Sequence, residues 1–587
     1  MKLIDKSMLI KTFLTSFMLA TIFNVPKVSV FPLILFAFTY CFFWQVKDVE
    51  AGKSAKVCGV ILACCLALGN VDLLLAIKKN IGKILVIAVG GYIISSVIIQ
   101  ILYEKFDKFR KEPVVLDSEV KEIKWGKCVL VMLLCWIPYW IAYYPAVLTP
   151  DSISQIRQVL NLDPLVNHHP ILHTMTIKVL YDFITAMGVE DINQVISLIS
   201  LIQMIFMASV FSAIICFLFS RRGSKTISYV FLFFYALIPF NAYYSITLWK
   251  DITHAVVTSL LLLALIKYCD DEIKNKPIAL ALLALLGTAF CLYRSNGYYA
   301  YILWLLPLTW ISFKIKKQSL ILVALGTIIV SSLIKGPLYN SFDIKNASYF
   351  EGLSIPEQQI AYVIKNKREL NDEQKYYLGK VIDLERVPRL YHPQISDNIK
   401  GNCHDEEFAK ANKLEYLKLW AELGVKYPKD YVIAWINQTR GYWYPNIGYW
   451  VYGKGVHPNT VGIYNEPNVI RKVIDKISLE KLYGPATLYN VGIYTWILLV
   501  MFIYALSRRM WKVVLCYSLL LGILVSLLLG TPVFAEFRYY YSIIANLPFI
   551  IMLPFLRKRT SVEKAVGGGG VVQAGTQYKP FGQHTIR

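Results

Sequence analysis

Apolar runs of about 17–25 residues recur along this chain almost from end to end, and no other feature limits its fold as strongly. A bilayer interior of about 30 Å offers no water to an open backbone, so a segment of that length crosses it as a helix. The runs fall at 8–25, 28–45, 56–77, 84–103, 127–147, 195–219, 226–245, 252–268, 277–292, 298–313, 319–335, 489–506, 512–530 and 540–556, about fourteen in all. The second follows the first almost at once and no small-residue cleavage site separates them, so the first reads as a retained anchor rather than a removed signal. With 56% hydrophobic and only 17% charged residues, the expectation is an all-α polytopic membrane protein.

The formal charge of +22 could suggest nucleic acid, but the placement of the basic residues argues otherwise. They sit in short loops between apolar runs, at Lys105–Lys111, Lys121–Lys127, Arg221–Lys225, Lys314–Lys317, Arg508–Lys512 and Arg557–Arg559. Lys and Arg concentrate in cytoplasmic loops, so the excess reports topology and contact with anionic lipid, with no nucleic-acid partner. Lys78, Lys79 and Lys83 are the exception on the other side. Of eleven cysteines, only Cys403 lies in a hydrophilic segment, and no disulfide or zinc spacing is present.

These spans divide the chain. Residues 1–126 form an N-terminal four-helix membrane module, 127–335 a membrane core with an outer loop at 148–194, 336–488 an extracytoplasmic α-rich soluble domain, 489–560 the C-terminal transmembrane helices, and 561–587 a disordered tail. The soluble domain opens with helical patterns at Pro356–Leu370, Asp372–Leu384 and Asp405–Leu423 and closes with an aromatic stretch, Tyr442–Tyr452.

Ionisable groups beside apolar segments cost several kcal/mol and usually have a partner or a task. Five such places fall on the outer face by the topology above: Asp151; His168, His169 and His173; Lys250 and Asp251; Arg294 with Asn296 and Gly297; and Glu536 with Arg538. Asp151 is either a general base at the membrane boundary or, following Pro150, the cap of an interfacial helix. Lys250 and Arg294 suit a phosphate, although a boundary Lys also snorkels to headgroups and Lys250 could pair with Asp251. Glu536 and Arg538 could equally form a structural bridge. The histidines have only Asp163 nearby as a further metal ligand; no cofactor is called for, and a divalent metal stays open. Trp443 and Tyr444, in the aromatic stretch, either pack the soluble domain's core or hold a sugar ring.

Thr149-Pro150-Asp151-Ser152-x-x-Gln155 followed by His169-Pro170 resembles the outer loop of the GT-C type membrane glycosyltransferases. More closely, with Trp249-Lys250-Asp251, Arg294-Ser295-Asn296-Gly297 and Phe537-Arg538-Tyr539, the pattern over roughly 127–556 resembles an uncharacterised family of Gram-positive bacterial membrane proteins placed near them. The resemblance implies a GT-C-like architecture and transfer of a sugar from a polyprenyl-phosphate carrier to an extracytoplasmic acceptor, such as a cell-wall polymer or lipid-linked glycan. It makes Asp151 the catalytic base and Lys250, Arg294 and Arg538 candidates for the lipid phosphate, with His168, His169, Asp251, Asn296, Glu536, Trp443 and Tyr444 as further substrate contacts. The site would face outward from a bacterial cytoplasmic membrane. Two other readings stay open: a lipid-linked glycan transporter or flippase, and a non-catalytic cell-wall polymer assembly protein.

Overall fold

Long runs of Leu, Ile, Val and Phe with no water to satisfy a broken backbone bond can only close their hydrogen bonds internally, and here they do so as helices. The computed structural model describes residues 6–23, 25–26, 29–112, 123–445, 447–477, 488–559 and 578–580. Lys121, and the expected disordered tail apart from 578–580, lie outside the described residues. Apart from one short antiparallel pair, Arg557–Arg559 with Tyr578–Pro580, the named elements are helical.

Among the described residues seven helices are both long and apolar enough to cross a membrane: Ile77–Lys111, Trp125–Ala142, Ile192–Arg222, Lys250–Cys269, Lys276–Tyr293, Ser319–Ser341 and Trp511–Gly530. An eighth arises if Lys225–Leu237 and Pro239–Ser245, bent by 58°, form one broken span. The protein is thus an all-α membrane protein with fewer full-length spans than the fourteen apolar runs suggest. Length and breaks account for most of the difference; Ser295–Lys314, long enough at 20 residues, is not apolar enough. Phe31–Gln45 and Val491–Ser507 are apolar but shorter. The run at 56–77 stops at Gly69, where the Asn70 amide turns back to the Leu66 carbonyl at 2.8 Å. The run at 540–556 is split into Phe537–Ile544 and Leu547–Met552, with Pro548 opening the second piece because proline cannot continue a helix it does not start.

The N-terminal helices pack through small residues, as membrane helices do where backbones approach closely. A Cβ on Gly59 would lie 2.2 Å from Ser96 Oγ, and one on Gly90 would lie 2.4 Å from the Leu14 carbonyl oxygen. This module is docked onto Val491–Ser507: Tyr103 stands 5.1 Å from Tyr504 ring to ring and donates to the Val500 carbonyl at 2.9 Å, and Asp107 pairs with Arg508.

The helix Lys250–Cys269 separates two polar regions. At its C-terminal end, Asp270 accepts from Arg221 at 3.0 Å and Lys512 at 2.9 Å, Arg221 reaches Glu272 at 2.7 Å, and Asp271 pairs with Lys317. Basic loops kept apart in sequence meet there. At its N-terminal end, about 30 Å away for 20 residues at 1.5 Å each, lies the second polar region, described below.

The hydrophilic segment after residue 336 is helical where its amphipathic patterns predict, at Ser354–Lys365, Asp372–Val381 and Lys413–Lys426, with a separate Glu406–Ala411 because the chain breaks at Asn412. The aromatic stretch does not form this domain's core. Tyr442 donates to the Val533 carbonyl at 3.0 Å, Trp443 stacks on Trp435 and accepts at its carbonyl from Trp496, Tyr444 lies against Gly69, and Tyr452 stacks on Tyr243 at 4.0 Å. These rings join the hydrophilic segment to the apolar helices. The same junction grips the loop Thr531–Ala535: Gln438 donates to the Thr531 carbonyl at 2.8 Å, Ser396 N–H to Pro532 at 2.9 Å, and Phe534 N–H to Gln394 at 3.0 Å. A Cβ on Gly441 would lie 2.4 Å from the Phe534 carbonyl oxygen, so only glycine admits this approach.

Candidate functional site

Two short backbone contacts set the register of the site. Val147 N–H donates to the Ile246 carbonyl at 3.1 Å, Leu148 N–H to Gly455 at 3.0 Å, and His457 N–H to Leu148 at 2.8 Å. The segment ahead of Pro150–Val159 is thereby clamped between the segment ahead of Lys250–Cys269 and the Gly455–His457 loop. Two side chains tighten the joint: Trp249 Nε1 donates to Thr149 Oγ1 at 2.6 Å, and Ser152 Oγ to the Leu248 carbonyl at 2.9 Å. Thr149 is the N-cap of Pro150–Val159, with Ser152 Oγ accepting from its N–H at 3.3 Å. This corrects the expectation that Asp151 is the cap. Asp151 sits one residue past Pro150, in the first turn, and its carboxylate is used elsewhere.

Asp151 Oδ2 accepts from Lys250 Nζ at 3.2 Å and Arg538 Nη1 at 2.9 Å. Lys250 Nζ also donates to His169 Nδ1 at 3.0 Å. Arg538 Nε stands 3.2 Å from Glu536 Oε1, an ion pair without an aligned hydrogen bond, since neither atom has a hydrogen-bonding partner. Arg294 pairs with the fully buried Asp251, again without alignment, and donates to the Tyr539 carbonyl at 3.2 Å. Its guanidinium lies 4.3 Å from the Tyr539 ring centre, and that of Arg538 lies 4.9 Å from Trp249. Cations over aromatic faces are held without spending their hydrogen bonds.

The cations occupy helix starts. Lys250 opens Lys250–Cys269, Arg294 is the N-cap of Ser295–Lys314, and Arg538 is second in Phe537–Ile544. A helix N-terminus carries partial positive charge, so each placement is unfavourable unless an anion is near. The turn at Arg294 depends on Gly297: a Cβ there would lie 2.4 Å from the Phe290 carbonyl oxygen and 2.8 Å from His254 Nε2.

Protonation follows from burial and these charges. Burial works to raise the Asp151 carboxyl, but Lys250 and Arg538 outweigh it and hold Asp151 well below the usual carboxylate range. Burial and then the Lys250 charge push His169 down to about 2, so its imidazole is neutral and Nδ1 can accept from the lysine. Burial lifts Glu536 to about 7 against the pull of Arg538.

Over residues 161–567 the chain matches a family described as a family of unknown function, DUF6020. That span exceeds half of the sequence. The protein belongs to this family. No curated protein and no solved structure matches it. The family's span contains His169, Lys250, Asp251, Arg294, Glu536 and Arg538, while Asp151 lies ten residues before it.

Of the sequence candidates, Asp151, His169, Lys250, Asp251, Arg294, Glu536 and Arg538 meet in this one cluster. His168 is exposed and touches it only edge-on through the His169 ring at 4.6 Å. His173 is turned away and buried, its Nδ1 on Gln155 Oε1 at 3.0 Å, and Gln155 in turn donates to Thr174. Asp163 is taken up by Arg157 at 2.7 and 2.8 Å, so it does not join the histidines. Among the described residues no three His, Cys, Asp or Glu side chains converge as metal ligands. Asn296 makes no hydrogen bond or ion pair to the cluster. Trp443 and Tyr444 are buried in the helix junction, away from it; of the same aromatic stretch, Tyr442 and Tyr449 come near Glu536, and Trp450, 44% exposed, lies 5.7 Å from Trp249. Thr149, Trp249 and Tyr539, which stand in the motifs but were given no role, and Trp450, outside those motifs, are the further participants. Trp249 and Tyr539 were legible as immediate neighbours of Lys250 and Arg538.

Proposed function

We propose that the protein is a GT-C type membrane glycosyltransferase, moving a sugar from a polyprenyl-phosphate carrier to an acceptor hydroxyl on a cell-wall polymer or lipid-linked glycan at the outer face of a bacterial cytoplasmic membrane. The observation that carries this reading is the grip of Lys250 and Arg538 on Asp151, with Arg294 behind. Three cations at helix N-termini form an anion site, and the two in front, Lys250 and Arg538, are offset by a carboxylate that is partly exposed and can release them. A carboxylate so pinned is a weak base as it stands. When the donor's phosphate draws Lys250 and Arg538 to itself, Asp151 loses the charges that depress its basicity and can accept a proton. The acceptor oxygen then bonds to the sugar's anomeric carbon as the bond from that carbon to the phosphate oxygen breaks. The electron pair leaves on the lipid phosphate, where Lys250, Arg538 and Arg294 offset its charge, and the acceptor's proton passes to Asp151. Configuration inverts.

The test is transfer of label from a polyprenyl-phosphate sugar by purified protein in liposomes. Asp151→Asn should lower the rate by about 10²–10⁴-fold, the usual worth of a positioned general base, with expression and thermal stability retained. Undiminished transfer by that variant would remove Asp151 from the chemistry, and absence of transfer by the wild-type protein across a panel of such donors would remove the activity.

A further inference from the structure

Arg538 is shared between two unlike carboxylates. Asp151 holds it through an aligned contact at 2.9 Å and holds Lys250 as well. Glu536 holds it only at 3.2 Å through Nε, unaligned, and has no other hydrogen bond at Oε1. Glu536 is 4% exposed, so water does not compensate. A carboxylate held by one unaligned ion pair in such a place is costly, and it becomes tolerable by taking a proton. We infer that a phosphodiester anion enters this cluster by taking Arg538 from Glu536, and that Glu536 yields it by taking up a proton, so that binding the anion and protonating this one carboxylate are a single event. The inference rests on the reading that the cluster binds a phosphate and adds how that binding is regulated.

The surroundings favour the exchange. Facing Glu536 are Arg538 and Tyr539 from its own helix, Asp151 from Pro150–Val159, Asp251 from Lys250–Cys269, Arg294, and the tyrosines Tyr244, Tyr442 and Tyr449. An added anion repels the ionised form of Glu536, and Arg538 turning to that anion removes its main support. Asp251 does not take this part: it is fully buried and Arg294 is its direct ion-pair partner. Asp151 is about a quarter exposed, so water can meet its charge when the cations turn to the anion. Glu536 already lies at about 7 in the resting cluster, so the proton is available close to neutrality. Below that pH it is on the carboxyl before the anion arrives, and affinity is flat. Above it each bound anion must bring one proton, and affinity falls by at most about tenfold per pH unit.

The probe is dioctyl phosphate, a diester whose own charge is constant from pH 6 to 9, titrated into the full-length protein in uncharged detergent. Calorimetry in buffers of different ionisation enthalpy at pH 8 should report uptake of up to one proton per diester bound by the wild-type protein. Affinity should be constant near pH 6 and fall towards pH 9, whereas Glu536→Gln should bind at pH 9 as the wild type does at pH 6, with no slope. Diester binding without proton uptake, or a slope that survives in Glu536→Gln, overturns the coupling and leaves the phosphate reading standing. If no diester binds at any pH, both fall. The proton count comes from the wild-type protein, so it holds even if the variant fails to fold.

Discussion

Asp251 and Arg294 show how little freedom a residue has once it is buried with charge. Asp251 is fully enclosed and, among the described residues, has only the guanidinium of Arg294 as its ionic partner, while Arg294 has the Tyr539 ring and carbonyl as well. Removing one member of such a pair strands the other, at about 3–5 kcal/mol, whereas replacing both with apolar residues is close to neutral. Asp251→Ala should therefore lower thermal stability in detergent sharply, and Asp251→Ala with Arg294→Met should recover most of that loss. A double variant no more stable than either single would show that the pair is not the source of the cost. The contrast with Asp151 is one of access: its carboxylate is about a quarter exposed and shared between two cations, so the same ion-pair chemistry leaves it exchangeable.

The helix Ser354–Lys365 carries a different buried acid. Glu357 points into a cavity of about 30 Å³ lined also by Ile360, Leu378, Val381, Cys403 and Tyr416, and neither of its oxygens has a hydrogen bond. Lys400 is near but engaged with Glu351 at 2.7 Å and Asp397 at 2.9 Å. Burial raises Glu357 from 4.5 to about 8. The folded helix therefore keeps a proton that the unfolded chain gives up. Its stability is full below about 4.5 and declines as the pH climbs through about 8. Amide exchange along Ser354–Lys365 in the full-length protein should accelerate between pH 6 and 9 beyond the intrinsic chemical rate. Glu357→Gln should abolish that excess. Equal excess in the variant would assign the effect to another group.

At the scale of the whole molecule, the two polar ends of Lys250–Cys269 should lie on opposite faces of a membrane. By the charge bias the basic loops around Arg221 and Lys317 should lie at the cytoplasmic face, and the Asp151 cluster with the segment after residue 336 should lie outside. In intact cells, a membrane-impermeant maleimide should label Lys418→Cys, on the exposed face of Lys413–Lys426, and spare Lys316→Cys until the membrane is permeabilised. The reverse pattern would turn the site inward and end any role with an extracytoplasmic acceptor. The grip of the soluble segment on Thr531–Ala535 gives this scale a bearing on the site, because that loop leads straight into Glu536 and Arg538.

Period and polarity alone determined that the chain is helical and membrane-spanning, that charged loops fall into two classes, and that Asp151, Lys250, Arg294 and Arg538 share a face. Those properties are local or additive along the chain, so a linear reading reaches them. Where apolar runs break was less legible: Asn70 and Pro548 act through single hydrogen bonds and one ring, too small to alter a hydropathy window. Partner choice was mostly out of reach, the Glu536–Arg538 pair, two residues apart, being the exception. Lys250 beside Asp251 in sequence suggested a pair, yet successive residues on a helix point about 100° apart, so Lys250 reaches Asp151 while Asp251 turns inward to Arg294. Trp443 and Tyr444 went to the helix junction and Trp450 to the site along a non-helical stretch that no sequence period describes. Asp151 thus became a candidate base, and not one more first-turn carboxylate, only when the fold brought Lys250 and Arg538, 99 and 387 residues away, within hydrogen-bonding reach of it.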